Sequence, residues 1–301
     1  MSKINPEELS EAEALELLTQ YEKREVRWKN LGLKGTLIGA IGAALFAVME
    51  VEALSFIFTL VLLVGVGFIV VGGRFRSKAE SVVNAQLYDF YEAELQKAFG
   101  PCQHTEGMDI NEPLLKELRV VDEGWSEHAV WRFYEGDYHG THFSVANVKL
   151  GKKIDQGQEG KSLVENYNGA VLRCKDVCHP ALDIALCGPG TDHQSDLTDP
   201  AVFRQSFSAR TADGQPADHL VTPQLRELIQ KMEFIGTQYT VTALLFRNGE
   251  AMLAIRRYNF GYALQGDKSL RDLDAVRKRF IDSLTPVCKL IDILRDSCGK
   301  L

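Results

Sequence analysis

Two uncharged apolar runs, separated by three residues, constrain this 301-residue chain more than any other feature. Gly35 to Met49 gives fifteen consecutive residues without a charge, and Ala53 to Gly73 gives twenty-one. A hydrocarbon core of about 30 Å needs about twenty helical residues, so the second run is long enough to cross one. The first reaches that length if it begins near Leu31, with the Lys34 amine reaching back to the interface. Glu50-Val51-Glu52 between them reads as a tight acidic turn. The expected segment is a transmembrane helical hairpin over residues 31–73. A cleavable signal peptide fits poorly, because about thirty polar residues precede the first run and a second follows at once.

Basic residues flank the outer ends of the pair. Lys23, Arg24, Arg27, Lys29 and Lys34 come before it and Arg74, Arg76 and Lys78 after it, while the turn has two carboxylates and no cation. The positive-inside rule then puts both termini of this multi-pass protein in the cytoplasm. Trp28 stands where an interfacial aromatic belongs. Gly35-xxx-Gly39, continued by Gly42 and Ala43, is a small-residue face that could pack on the second helix or on another subunit.

Before the hairpin, Asn5-Pro6-Glu7-Glu8 resembles a helix start. Leu9, Ala12, Leu15, Leu18 and Tyr21 follow at helical spacing, which predicts a cytoplasmic amphipathic helix within residues 1–30. Its acidic face disfavours anionic lipid and favours docking on protein. After the hairpin, residues 74–100 are expected to form a stalk helix with Leu87, Tyr91, Leu95 and Phe99 in one stripe, ending at Gly100-Pro101.

From about residue 101 the pattern changes to short β-branched runs, and residues 101–301 are expected to form a cytoplasmic α+β domain with a mainly antiparallel sheet and flanking helices. Strands are expected over Ala129–Tyr134 and Tyr138–Leu150, joined by a turn at Glu135-Gly136-Asp137. Others are expected over Gly169–Cys174, Phe203–Arg210, Tyr239–Phe246 and Ala251–Tyr258, with Asn248-Gly249 turning the last hairpin. Thr222-Pro223 should open a helix to about Glu233. A final helix from Leu270 to Ser297 should kink or divide at Pro286. Ile154 to Thr198, rich in Gly, Asp, Gln and His, is expected to be partly loop.

Thirty-four Lys and Arg against 41 Asp and Glu give a formal charge of −7, which argues against nucleic acid as a partner. The six cysteines all fall on the cytoplasmic side, where thiols stay reduced. Cys174, Cys178, His179 and Cys187, with His193 beyond, form the one cluster with ligand-like density. The spacing lacks the two tight pairs of a usual zinc site, so free or buried thiols compete with metal binding. Asp137, His139 and His142 gather on the first hairpin, but the strand period puts the two histidines on opposite faces. Arg256-Arg257-Tyr258 with Lys268, Arg271, Arg277, Lys278 and Arg279 forms a basic stretch that could meet lipid headgroups or an acidic partner, or lie on a solvated helix face. No nucleophile elbow, metalloprotease helix or phosphate-binding loop occurs.

Glu135-Gly-Asp-Tyr-His-Gly140, Ser144, Tyr167-Asn-Gly169, Phe203 to Phe207, Ala217-Asp-His-Leu-Val-Thr-Pro223 and the Asn248-Gly hairpin with Leu253-Ala-Ile255 resemble the bacterial domain of unknown function 3137 family. The resemblance covers most of Ala129 to Tyr262, with Leu220 to Leu225 its most distinctive piece. It departs from the family over Cys174 to His193. It implies a two-span membrane protein and assigns no catalytic residue. The sequence as a whole leads to the expectation of a non-enzymatic scaffold or regulatory module. Its expected partners are the lipid bilayer and either further copies of itself or another membrane-associated protein, and no cofactor is expected. The alternative is a membrane-anchored metal-binding or thiol-dependent enzyme or sensor built on Cys174, Cys178, His179 and Cys187.

Overall fold

A computed structural model describes residues 6, 9–100, 110–118, 125–155, 161–187, 208–210, 222–233, 239–261, 264 and 269–298. The chain is α+β and divides into two compact units. One comprises residues 1–92 with 263–278, and the other comprises 93–262 with 279–301.

The first unit is built on two long antiparallel helices, α1 (Glu11–Val48) and α2 (Glu52–Gln86). Both are long and apolar enough to cross a membrane. α1 starts later than Pro6 because Ser10 makes a capping box. Its Oγ accepts from Glu13 N at 3.4 Å, and the Glu13 carboxylate accepts from Ser10 N at 3.0 Å. The Ser10 hydroxyl also donates to the Glu13 carboxylate at 2.6 Å, and this bond, followed by the one from Ser10 N, holds the Glu13 carboxyl below its ordinary pKa. Of the helix start expected at Asn5–Glu8, only Pro6 lies within the described residues.

α1 then runs without a break through residue 30, so the expected amphipathic helix and the first apolar segment are one element. At 1.5 Å per residue it is about 57 Å long, nearly twice a hydrocarbon core. Burial of Ala14 and Leu18 on α1 and of Ala79, Val82 and Val83 on α2 shows why the pairing persists past the uncharged runs. Tyr21 lies against Phe75, and Gln86 donates to the carbonyls of Pro6 and Leu9.

The helices meet through glycine. A Cβ on Gly39 would lie 2.4 Å from Leu62 N, and one on Gly65 would lie 2.4 Å from Thr36 N. The small-residue face is thus filled by the partner helix of the same hairpin. Ser55 Oγ adds a hydrogen bond to Ala43 O at 3.2 Å. At the turn, Val51 N donates to Phe46 O and Glu50 N to Ala47 O, a Schellman closure with Glu50 at φ 57° where glycine is usual.

In the second unit, seven strands form one antiparallel sheet in the order β1-β2-β3-β7-β6-β4-β5. These are β1 (Glu127–Tyr138), β2 (Thr141–Asp155), β3 (Lys161–Cys174), β4 (Ile184–Cys187), β5 (Ser208–Arg210), β6 (Thr240–Arg247) and β7 (Glu250–Arg256). The first hairpin turns at His139-Gly140 instead of Glu135-Gly136-Asp137. A two-residue type I′ turn needs positive φ at both central residues, and these two have φ 50° and 83°. Asn248-Gly249 meets the same requirement at 53° and 84°. β3 and β4 occupy parts of the stretch expected to be loop. Of the strand expected over Phe203–Arg210, residues 208–210 form β5 and the rest lie outside the described residues.

Helix α4 (Glu112–Glu117) covers one face of the sheet. Leu114, Leu115 and Leu118 pack with Ala146, Val148, Leu150, Val171, Met252 and Ala254. Toward the other face, Phe99, the last residue of α3 (Tyr88–Phe99), meets Phe143, Tyr134 and Phe260, with ring centroids 4.9–6.1 Å apart. Asn147, fully buried, ties β2 to Phe260 by donating to its carbonyl at 3.0 Å and accepting from its N–H at 2.7 Å. Helix α5 (Pro223–Glu233) starts where expected, and Thr222 Oγ1 accepts from Leu225 N.

The final helix, α6 (Leu273–Cys298), is not divided at Pro286. The proline ring crowds the preceding turn and removes a donor. The fully buried Tyr258 hydroxyl donates to the Ser283 carbonyl in that turn and is met by the Val287 backbone N–H. The hydroxyl thus bridges the Ser283–Val287 step next to the one the proline lacks. Burial holds this phenol far above its ordinary pKa.

Candidate functional site

A row of charges lies at one end of the α4-covered face of the sheet. It follows from strand register. Ser144 on β2 is opposite Glu135 on β1 and Arg173 on β3, and Arg173 is opposite Met252 on β7. Leu245 and Ala185 continue that row across β6 and β4. Side chains two residues further along share the same face, which gives Asp137, His142, Lys175, Glu250, Arg247 and Asp183. The row alternates in sign along most of its length, and cross-strand neighbours of opposite charge attract.

Nearly all of these groups engage one another. His142 contacts the Glu135 carboxylate through Nε2 at 2.7 Å and the Asp137 carboxylate through Nδ1 at 3.4 Å. Arg173 makes a two-point fork on Glu250 at 2.9 and 3.0 Å, a geometry that suits guanidinium and carboxylate. Arg247 bonds Glu117 of α4 and reaches Asp183 at 3.3 Å. Lys175 N donates to His142 O, which extends the β2–β3 ladder one residue past β3. The buried Ser144 hydroxyl sits between Glu135 and Arg173 in register and has no hydrogen-bond partner among the described residues.

Of the four cluster residues from the sequence, Cys174, Cys178 and His179 have different surroundings. Cys174 is buried in β3, opposite Phe143 and Ala251 on the face away from Arg173. Cys178 lies in the following loop, and its thiol donates to Glu250 O at 3.4 Å. Burial, and then the Glu250 charge, push that thiol up to about 11, whereas a nucleophilic or metal-bound sulfur needs the thiolate. His179 is exposed, and its Nδ1 accepts from Ala181 N at 3.2 Å. Cys187 lies in β4, with its backbone in register with Ala243 and Ser208. His193 lies outside the described residues. Among the described residues, no three His, Cys, Asp or Glu side chains are placed to hold a metal ion.

His139 and His142 part, but His139 does so from the turn rather than by strand alternation. His139 sits in the turn and contacts Asp292 of α6 at 2.9 Å, and its ring stacks on Tyr138. Tyr138 lines a groove of about 440 Å³ between α3 and α6, with Ile281, Leu284, Cys288 and Asp292. Burial, with Cys288 and Asp292 nearby, raises the Tyr138 hydroxyl to about 12. Burial likewise raises the Cys288 thiol. The Tyr138 hydroxyl and the Cys288 thiol therefore stay protonated at neutral pH, beside the Asp292 carboxylate in the same groove.

The expected basic stretch separates into individual contacts. Arg256 bonds Asn166 O at 2.5 Å, Arg271 pairs with Glu22 at 2.5 Å, and Arg277 pairs with Asp274 at 2.7 Å. Lys268 lies outside the described residues. The charged row itself was not anticipated from the sequence. Its signal was present as charges at alternate positions near the ends of both hairpins, but it appears only once the turn positions are fixed. No protein-family model, curated protein or solved structure matches the chain.

Proposed function

We propose that this chain is an integral protein of a bacterial cytoplasmic membrane, with both termini cytoplasmic. Its α+β unit acts as a non-enzymatic scaffold or regulatory module, in a homo-oligomer or with another membrane-associated protein. The observation that carries the anchor is the inverted burial of the hairpin. Its glycines face inward, while Leu33, Ile41, Phe56 and Leu63 are 58–65% exposed. A hairpin in the core of a soluble protein would bury those side chains, and hydrocarbon covers them at no desolvation cost. The cations before α1's apolar run and after α2's, opposite an acidic turn, support the orientation. The resemblance to the domain of unknown function 3137 family agrees with this arrangement and rests on the sequence alone.

The scaffold reading is supported by the second unit's ionisable groups. They are spent on one another in the charged row, and the Cys178 and Cys288 thiols are held protonated. Crosslinking in native membranes followed by mass measurement of the extracted complex tests this reading. A fixed oligomer or a defined membrane-associated partner is the expected result. A strict monomer with nothing attached overturns it.

A further inference from the structure

The cations at the outer end of the hairpin differ from the rest of the molecule's charge. Residues 23–29 and 74–80 contain seven Lys or Arg and only two carboxylates, in a chain whose formal charge is −7. Helix register brings the two stretches level. Gly42 meets Phe58, Gly39 meets Leu62, Gly32 meets Ile69, and Gly72 meets Lys29. Continued by one turn, this pairing sets Arg27 beside Arg74, and Arg24 beside the turn that carries Lys78.

Two of the seven are neutralised within their own helices, Lys29 by Glu25 at 2.6 Å and Arg76 by Glu80 at 3.2 Å. Lys23, Arg24, Arg27, Arg74 and Lys78 have no carboxylate within 4.0 Å among the described residues. Arg24 and Lys78 instead converge on one ring, 5.7 and 5.8 Å from the centroid of Phe75. Two cations at one ring repel each other, no carboxylate among the described residues offsets that repulsion, and an anion bound to both would relieve it.

The surroundings indicate what kind of anion. Trp28 and Phe68 pair one turn further toward the apolar segment, with centroids 5.0 Å apart, and Leu31 and Leu33 beyond them are exposed. A ligand that satisfies both zones is anionic at one end and hydrocarbon at the other. We propose that the collar of Lys23, Arg24, Arg27, Arg74 and Lys78 binds the phosphodiester headgroup of anionic phospholipids, centred on the Arg24–Phe75–Lys78 cluster. The inference rests on the membrane reading of the hairpin and adds a lipid preference to it.

The test is fluorescence quenching of the full chain in vesicles doped with brominated phosphatidylglycerol or brominated phosphatidylcholine. Trp28 is the collar's own reporter, and the quenching lost in Trp28→Phe isolates it. The expected result is a roughly 25-fold preference for the anionic lipid at Trp28, since Arg24 and Lys78 at the centre of the collar each contribute about a factor of five near an anionic surface. The preference should fall to near unity in Arg24→Gln/Lys78→Gln and persist in Arg24→Lys/Lys78→Arg. It should also survive millimolar inorganic phosphate, which separates a headgroup site from a free-phosphate site. Equal quenching by the two lipids in the unsubstituted protein overturns the lipid preference and leaves the anchor standing. No quenching of Trp28 by either lipid overturns the anchor itself.

Discussion

The two units solve the same burial problem in opposite senses. In the helical unit the smallest residues face inward and the large apolar ones outward, and several cations lack a carboxylate partner. In the sheet unit the large apolar residues face inward and the charges bind one another in a cross-strand row. The difference is what the proposed assignment of one unit to lipid and the other to water requires. Water rewards burying leucine and tolerates paired ions at a rim. Lipid gives no reward for burying leucine, so helices associate through close backbone contact at glycine and carry their cations to the headgroup level.

Substitutions can break this contrast in graded steps. The largest effect is expected from Gly39→Leu, which drives a side chain into the Leu62 backbone and should cost about 3 kcal/mol or more by overpacking. Gly67→Leu, at a position where an added Cβ would meet nothing within 4 Å, should be near neutral. Unfolding in detergent micelles compares the two, and equal tolerance would remove the close-packing account of the hairpin.

In the sheet unit, Asn147→Leu leaves the buried Phe260 N–H and carbonyl unpaired and should cost about 3 kcal/mol, measured by chemical denaturation. At pH 8, Cys178 should be alkylated roughly 100-fold more slowly than an unperturbed thiol, because its thiolate fraction is smaller in that ratio. Its rate should rise until pH passes about 11. The same shift makes stability complete below the unfolded thiol's pKa and progressively lost as pH rises through about 11. Rapid alkylation at neutral pH would return the thiol-dependent reading to favour. The smallest effect is expected from Tyr258→Phe, which takes away the hydroxyl beside Pro286 and should cost about 1–2 kcal/mol in a thermal melt.

Much of this architecture was legible in the residues. Charge-free length gave the two apolar helices, Asn248-Gly249 gave its hairpin, and Thr222-Pro223 gave the start of α5. The missed features share a cause, which is that contacts beyond the local pattern settled them. Asn5–Glu8 carried a competent helix start, but Ser10 with Glu13 supplied two reciprocal hydrogen bonds. Gly136-Asp137 looked like a turn, yet His139 accepts positive φ next to Gly140, and the shift of the turn sets which charges share a face. Pro286 was expected to kink or divide α6; the helix is continuous through it, and a tyrosine just after β7, remote in sequence, bridges the adjacent Ser283–Val287 step. In the Cys174–Cys187 stretch, strand parity turns Cys174 to the face away from Arg173, and Cys178 lies in the following loop against the Glu250 carbonyl.

The central claim is that the hairpin crosses a membrane and leaves both flanks on the cytoplasmic side. The most direct test is labelling of Val51→Cys in intact spheroplasts with a membrane-impermeant maleimide, before and after lysis. The account predicts that the turn cysteine is labelled in intact cells, while the native cysteines react only after lysis or unfolding. Native thiols labelled without lysis, or a turn cysteine that stays silent until lysis, would contradict it.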